Sequence, residues 1–121
     1  MPELRKGRDI AERLSWLGAE VMAIARRLPP GHDHRHVANQ LVRAGTSCGA
    51  NYEEARGAQS RADFIHKVTI AAKEARETAY WLGVLDHRSS DPSLADALDE
   101  ARQLAAILSA SSNTARRNAA R

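Results

Sequence analysis

Apolar side chains recur along most of this chain at alternating spacings of four and three, the signature of helices that bury one stripe. Ile10, Leu14, Leu17, Val21, Ile24 and Leu28 form the first stripe. Leu28-Pro29-Pro30-Gly31 ends it, because proline neither donates a helical hydrogen bond nor tolerates a helical residue before it. Val37, Leu41, Ala44, Cys48, Tyr52 (or Asn51) and Ala55 form the second, with Gly57 as a helix end that can take the left-handed conformation. Ser60, with Asp63 three residues on, reads as a shortened capping box. It opens the third stripe: Phe64, Val68, Ala71, Ala75, Thr78, Leu82 and Leu85. Asp91-Pro92 is a strong helix start, followed by Leu94, Leu98, Ala101, Leu104 (or Ala105) and Leu108. The pattern predicts helices over about 6–28, 34–56, 61–87 and 92–109. Short connections between four such helices predict an all-α, antiparallel up-down-up-down four-helix bundle over residues 1–111. Residues 112–121 lack periodicity and predict a disordered tail.

Several polar residues keep helical spacing where a plain solvated face does not require it. Arg43, Ser47, Asn51 and Glu54 lie on one line of the second helix. Asn51 borders the apolar stripe, and the line runs beside the small-residue run 44–50, which contains Gly45 and Gly49. An interior glycine costs about 1 kcal/mol relative to alanine, so such a run favours a place where another backbone approaches closely. The expectation is a partly buried polar seam rather than a solvated face, with Lys73, Glu74 and Glu77 meeting it across a helix or subunit interface. On the third helix Ile65, Ile70, Tyr80, Trp81 and Val84 widen the apolar arc beyond one stripe. So broad an arc predicts contact with another subunit. Trp16 lies off the first stripe, either on the flank of the bundle or on a partner surface.

Composition agrees with packed helices. Apolar residues make up 43% but aromatics only 4%, and few residues favour strands. No stretch is long and apolar enough to span a bilayer, and residues 1–8 lack the apolar core of a signal peptide. A single cysteine, Cys48, permits no internal disulfide and fits a reducing cytoplasm. The net charge of +3 equals the contribution of Arg116, Arg117 and Arg121 in an acid-free tail, so residues 1–111 balance near zero. Those three arginines, with Arg5, Lys6 and Arg8 at the other end, are the candidates for contact with nucleic acid.

Catalytic chemistry finds little support. His32, His34 and His36 alternate beside Asp33, a pattern that invites a metal. A polar helix start with an acid at the positive end of the dipole explains it as well, and no metal site is assigned. Glu53, Glu54, Glu74 and Glu77 are acidic pairs on core helices, but carboxylate-bridged bundle sites pair a glutamate with a histidine three residues on. Gly57 and Glu77 occupy those positions after Glu54 and Glu74. No phosphate loop, nucleophile triad or cofactor motif is present, and Cys48 has no evident activating base.

The chain resembles the bacterial four-helix bundle proteins first noticed in intervening sequences of large-subunit ribosomal RNA genes. The resemblance lies in Leu28-Pro29, Arg43-Ala44, Ser47, Asn51 and Glu54, then Ser60, Phe64-Ile65, Ile70-Ala71 and Glu77. It covers roughly residues 10–108. Cys48, Tyr52 and Ala55 depart from the commoner pattern, and the Lys73-Glu74-Ala75-Arg76-Glu77-Thr78 and Tyr80-Trp81-Leu82 segments look like one branch of the family. The resemblance implies an antiparallel bundle assembling into a ring-like homopentamer with no established enzymatic activity. It also implies kinship with an accessory protein of diversity-generating retroelements, which works with a reverse transcriptase and nucleic acid. The functional expectation is a non-catalytic oligomeric adaptor associated with RNA, DNA or a ribonucleoprotein, the alternative being a purely protein-binding scaffold.

Overall fold

The computed structural model describes residues 10–120, and all of its regular structure is helical. The helices are α1 (Ile10–Arg26), α2 (His32–Arg56), α3 (Arg61–Asp86) and α4 (Pro92–Ala119). Each helix packs on its neighbour in sequence, and α1 closes the ring against α4. Short connections make each adjacent pair antiparallel, as cross-helix contacts record: Arg43 with Glu74 but Glu54 with Lys67. The core is built from the predicted stripes, among them Leu14, Leu17, Val21, Leu41, Val68, Leu82, Leu104 and Leu108. Trp16 is half-buried and packs against this core, on the flank of the bundle.

The helix ends follow local chemistry. Ser60 caps α3 by accepting from the Asp63 N–H at 3.0 Å. Asp91 caps α4 by accepting from the Ser93 N–H at 2.9 Å, with Pro92 in the first turn. Several ends differ from expectation. Helix α1 stops at Arg26 rather than residue 28. Gly31, at φ 143°, turns the chain sharply enough for α2 to begin at His32 rather than residue 34. Gly57 ends α2 with φ −93°, so its N–H reaches Glu53 O without a left-handed turn.

The largest departure is at the end of α4. The expected disordered tail from residue 112 is helical to Ala119. Ser112 is buried, and its hydroxyl hydrogen-bonds the Thr69 hydroxyl of α3 at 2.7 Å. Arg116 donates to the same Thr69 Oγ1 at 3.1 Å. Hydroxyl docking on α3 thus replaces the apolar stripe that periodicity looks for, and alanine and arginine in these turns sustain the helix.

The small-residue run does bring two helices close. A methyl added at Gly45 would overlap Val21 Cγ2 on α1, so this position admits only glycine without a shift of Val21. At Gly18 and Gly49 the same methyl would meet neighbours at 3.6 and 3.5 Å, ordinary contact distances. Close approach between α1 and α2 is therefore concentrated at Gly45.

Between α1 and α4 lies the one buried ion pair seen among the described residues. Arg13 donates through Nε to Glu100 Oε2 at 2.9 Å and through Nη2 to Oε1 at 2.8 Å. Nη2 also donates to Gln103 Oε1 at 3.1 Å. Glu100 has no exposed surface and Arg13 is 9% exposed. The hydrogen bonds to Glu100 raise the Arg13 guanidinium above its ordinary value despite its burial. Breaking one side of a buried pair costs about 3–5 kcal/mol, whereas replacing both partners by apolar residues is often neutral. We expect Arg13→Met to lower unfolding free energy by about that amount. The double variant Arg13→Met, Glu100→Leu should recover most of the loss in urea denaturation; no recovery would mean that the pair acts through something other than charge burial.

Candidate functional site

The polar line on α2 is resolved into separate contacts, all within one chain. Arg43 reaches α3, donating through Nη1 to Glu74 Oε2 at 3.1 Å and through Nη2 to Glu77 Oε2. Glu77 Oε2 also accepts from the Trp81 indole N–H at 3.1 Å. Trp81 in turn stands edge-on to His36 (ring centroids 5.8 Å apart) and to Tyr80 (4.9 Å). Arg43, Glu74, Glu77, Trp81, Tyr80 and His36 therefore form one continuous cluster on the α2–α3 face. The Trp81 N–H and the Arg43 guanidinium hold the Glu77 carboxyl below its ordinary value of 4.5.

The remaining members of the line turn elsewhere. Asn51 donates back along its own helix to Ser47 O at 2.9 Å and Ser47 Oγ at 3.0 Å. Glu54 pairs with Lys67 at 2.8 Å, a partner that the sequence reading did not select. Lys73 is exposed and acts on Glu77 only through its charge. Of the wide apolar arc on α3, Ile65, Ile70, Trp81 and Val84 are partly covered within the chain, while Tyr80 remains 62% exposed.

The candidates for chemistry are dispersed. Burial pushes the Cys48 thiol up to about 11, and its Sγ lies 3.3 Å from Ala44 O, so it is a protonated core residue at neutral pH. Glu53 pairs with Arg56. His34 faces a cleft between the α1–α2 and α3–α4 turns, His36 packs on Trp81, and among the described residues no three metal-ligating side chains converge. No helix among those residues is long and apolar enough to cross a membrane.

The sequence profile of the 23S rRNA-intervening sequence proteins matches residues 9–110. The chain belongs to this family. A crystal structure of a protein of unknown function from the S23 ribosomal protein family of Bacteroides thetaiotaomicron VPI-5482 superposes with a TM-score of 0.74 at 31% identity. The similarity covers 83% of this chain and 94% of that one. Comparison with curated proteins gives no match.

The intervening-sequence profile spans the α2–α3 cluster but stops before the last turns of α4. Those turns carry two of the expected nucleic-acid contacts. Arg116 is anchored on Thr69, and Arg117 donates to Thr114 Oγ1 at 3.3 Å; both are exposed. Arg5, Lys6, Arg8 and Arg121 lie outside the described residues. Sequence reasoning missed the α3 partners of these turns, Thr69 and Arg76, because neither interrupts a stripe.

The α2–α3 cluster has a definite pH signature. Because the folded-state value of Glu77 is depressed, its contribution to stability is present above its ordinary value of 4.5 and is lost as pH falls through the folded value. Glu77→Gln should therefore flatten the acid limb of a stability–pH profile while changing the neutral-to-alkaline limb little. An unchanged acid slope would show that the cluster is not coupled to folding.

Proposed function

We propose that this protein is a non-catalytic, self-associating helical adaptor that engages nucleic acid or a ribonucleoprotein through basic surface. The observation that carries this reading is the basic end of α4, where Arg116 and Arg117 sit on ordered helix in a stretch without acids. Ordered cations lose less freedom on binding a polyanion than cations on a loose tail. The description of its family as intervening-sequence proteins of 23S rRNA supports an RNA-linked setting. Against catalysis stand carboxylates already holding cations, with Glu74 and Glu77 on Arg43 and Glu54 on Lys67, and a thiol kept protonated by burial.

Binding of structured RNA and duplex DNA across a salt series tests the reading. Counter-ion release predicts affinity that falls steeply with salt. Replacing Arg116, Arg117 and Arg121 by glutamine should reduce the slope of log K against log salt by about two to three. Truncation is unsuitable, because a chain ending at residue 111 would lose the buried Ser112. Weak, salt-insensitive binding by the intact chain would remove the nucleic-acid role and leave a protein scaffold, which the exposed Tyr80 and Met22 favour.

Self-association is the second part of the proposal. The resemblance implies a homopentamer, and the exposed Tyr80 ring beside the half-buried Trp81 supports an intersubunit contact on α3. Light scattering should give a mass that is a multiple of 13.2 kDa, shifting toward a single chain in Tyr80→Glu. A single-chain mass at high concentration would exclude assembly.

A further inference from the structure

The α3–α4 face carries a small cleft of about 230 Å³. Its floor is Ala72, and its walls are Thr69 and Arg76 from α3 with Ser109, Ser112, Asn113 and Arg116 from α4. No acidic residue lines it. Arg76 donates through Nη1 to Ser109 Oγ at 3.1 Å, and Arg116 donates through Nη2 to Thr69 Oγ1 at 3.1 Å. Among the described residues neither guanidinium has a carboxylate partner. Arg27, Arg43 and Arg88 each hold an acid; other exposed arginines such as Arg102 and Arg117 do not line this cleft, whereas Arg76 and Arg116 both do. The two arginines thus approach one cleft from opposite helices, each occupied only by a neutral hydroxyl.

We propose that this cleft is an oxyanion site that takes a phosphate group between Arg76 and Arg116. A guanidinium presents five donors in a planar fork, so each arginine can keep its hydroxyl contact and still offer N–H groups to phosphate oxygens. Ser109 and Asn113 add short neutral donors along the same wall. The site depends on the unexpected helical extension: Ser112 buries its hydroxyl on Thr69, which holds the last turns against α3 and sets Arg116 on Thr69, in the cleft that Arg76 also lines. Ser112, Asn113 and Arg116 lie beyond the part of the chain that the family profile matches, whereas Thr69, Ala72, Arg76 and Ser109 lie within it. A polynucleotide backbone is the phosphate source favoured by, and resting on, the proposed function; a small phosphorylated metabolite is the other source of the same chemistry.

The test uses the full chain and the variants Arg76→Gln and Arg116→Gln, with Arg102→Gln, an exposed α4 arginine outside the cleft, as control. Single-stranded RNA binding is followed by anisotropy across a salt series. Inorganic phosphate and pyrophosphate are titrated in parallel while amide shifts of Ser109, Ser112 and Asn113 are recorded. For RNA, each cleft variant should weaken binding several-fold and lower the salt slope by about one, with the control changing less. RNA binding that all three variants share equally with the parent, with no phosphate-induced shifts, would overturn the cleft while sparing the wider nucleic-acid reading. Phosphate shifts that disappear in the cleft variants, without RNA binding, would support the oxyanion site and assign it to a small phosphorylated ligand. No RNA binding and no phosphate shifts would overturn both.

Discussion

A charge pair buried between the first and last helices sets the terms for the rest of the bundle. Consecutive helices are held side by side by short connections, but α1 and α4 have no direct link. Glu100 is wholly buried, and Arg13 meets it with a two-point fork. Sliding α1 by one turn would carry the guanidinium away from a carboxylate that has no access to water, at a cost of several kcal/mol. Apolar packing alone discriminates registers less sharply, because the hydrophobic effect is non-directional and volume-conserving exchanges in a core cost little. The ion pair therefore chooses one register for closure. Gln103, which accepts from Arg13 and donates to Asp99, extends that choice along α4.

Opposite this closure, the register of α1 against α2 comes from shape. Gly45 leaves just enough room for Val21, and Gly18 lies against the α2 backbone at the same level. One contact selects register by charge and the other by the absence of a side chain. Together they orient α1 with Trp16 along the flank of the core. The α2–α3 and α3–α4 faces are left to carry polar chemistry without having to define the fold.

Helix α3 divides that chemistry by sign. Toward α2 it offers Glu74 and Glu77, which share the Arg43 guanidinium, Glu77 also accepting from Trp81. Toward α4 it offers Arg76 and Thr69, which meet hydroxyls and a second arginine and no acid. The first face is internally satisfied and suits a rigid contact surface. The second keeps uncompensated positive charge in a concave setting, where an anion is drawn in more strongly than on a flat surface. A near-zero net charge over residues 1–111 conceals this asymmetry, because a sum over sequence does not record which charges already have partners.

Four helices, their approximate limits, the caps at Ser60 and Asp91 and most of the core were legible in the chain, because each depends on residues within a few turns of one another. Spacing also marked Arg43, Glu74 and Glu77 as unusual, although not which one meets which. The buried pair left a fainter trace: Arg13 precedes Leu17, and Glu100 precedes Leu104, by one turn, so both charges fall within apolar arcs. Their partnership spans most of the chain and has no local signal. The end of α4 was misread for the same reason. Its stability comes from Ser112 and Arg116 meeting Thr69 on another helix, and a stripe of apolar residues is the only kind of burial that periodicity detects. Local hydrogen bonding and hydrophobic period determined the elements; which polar groups are partnered, and which remain free to bind something else, was decided only when the helices came together, because pairing depends on distances that sequence separation does not encode.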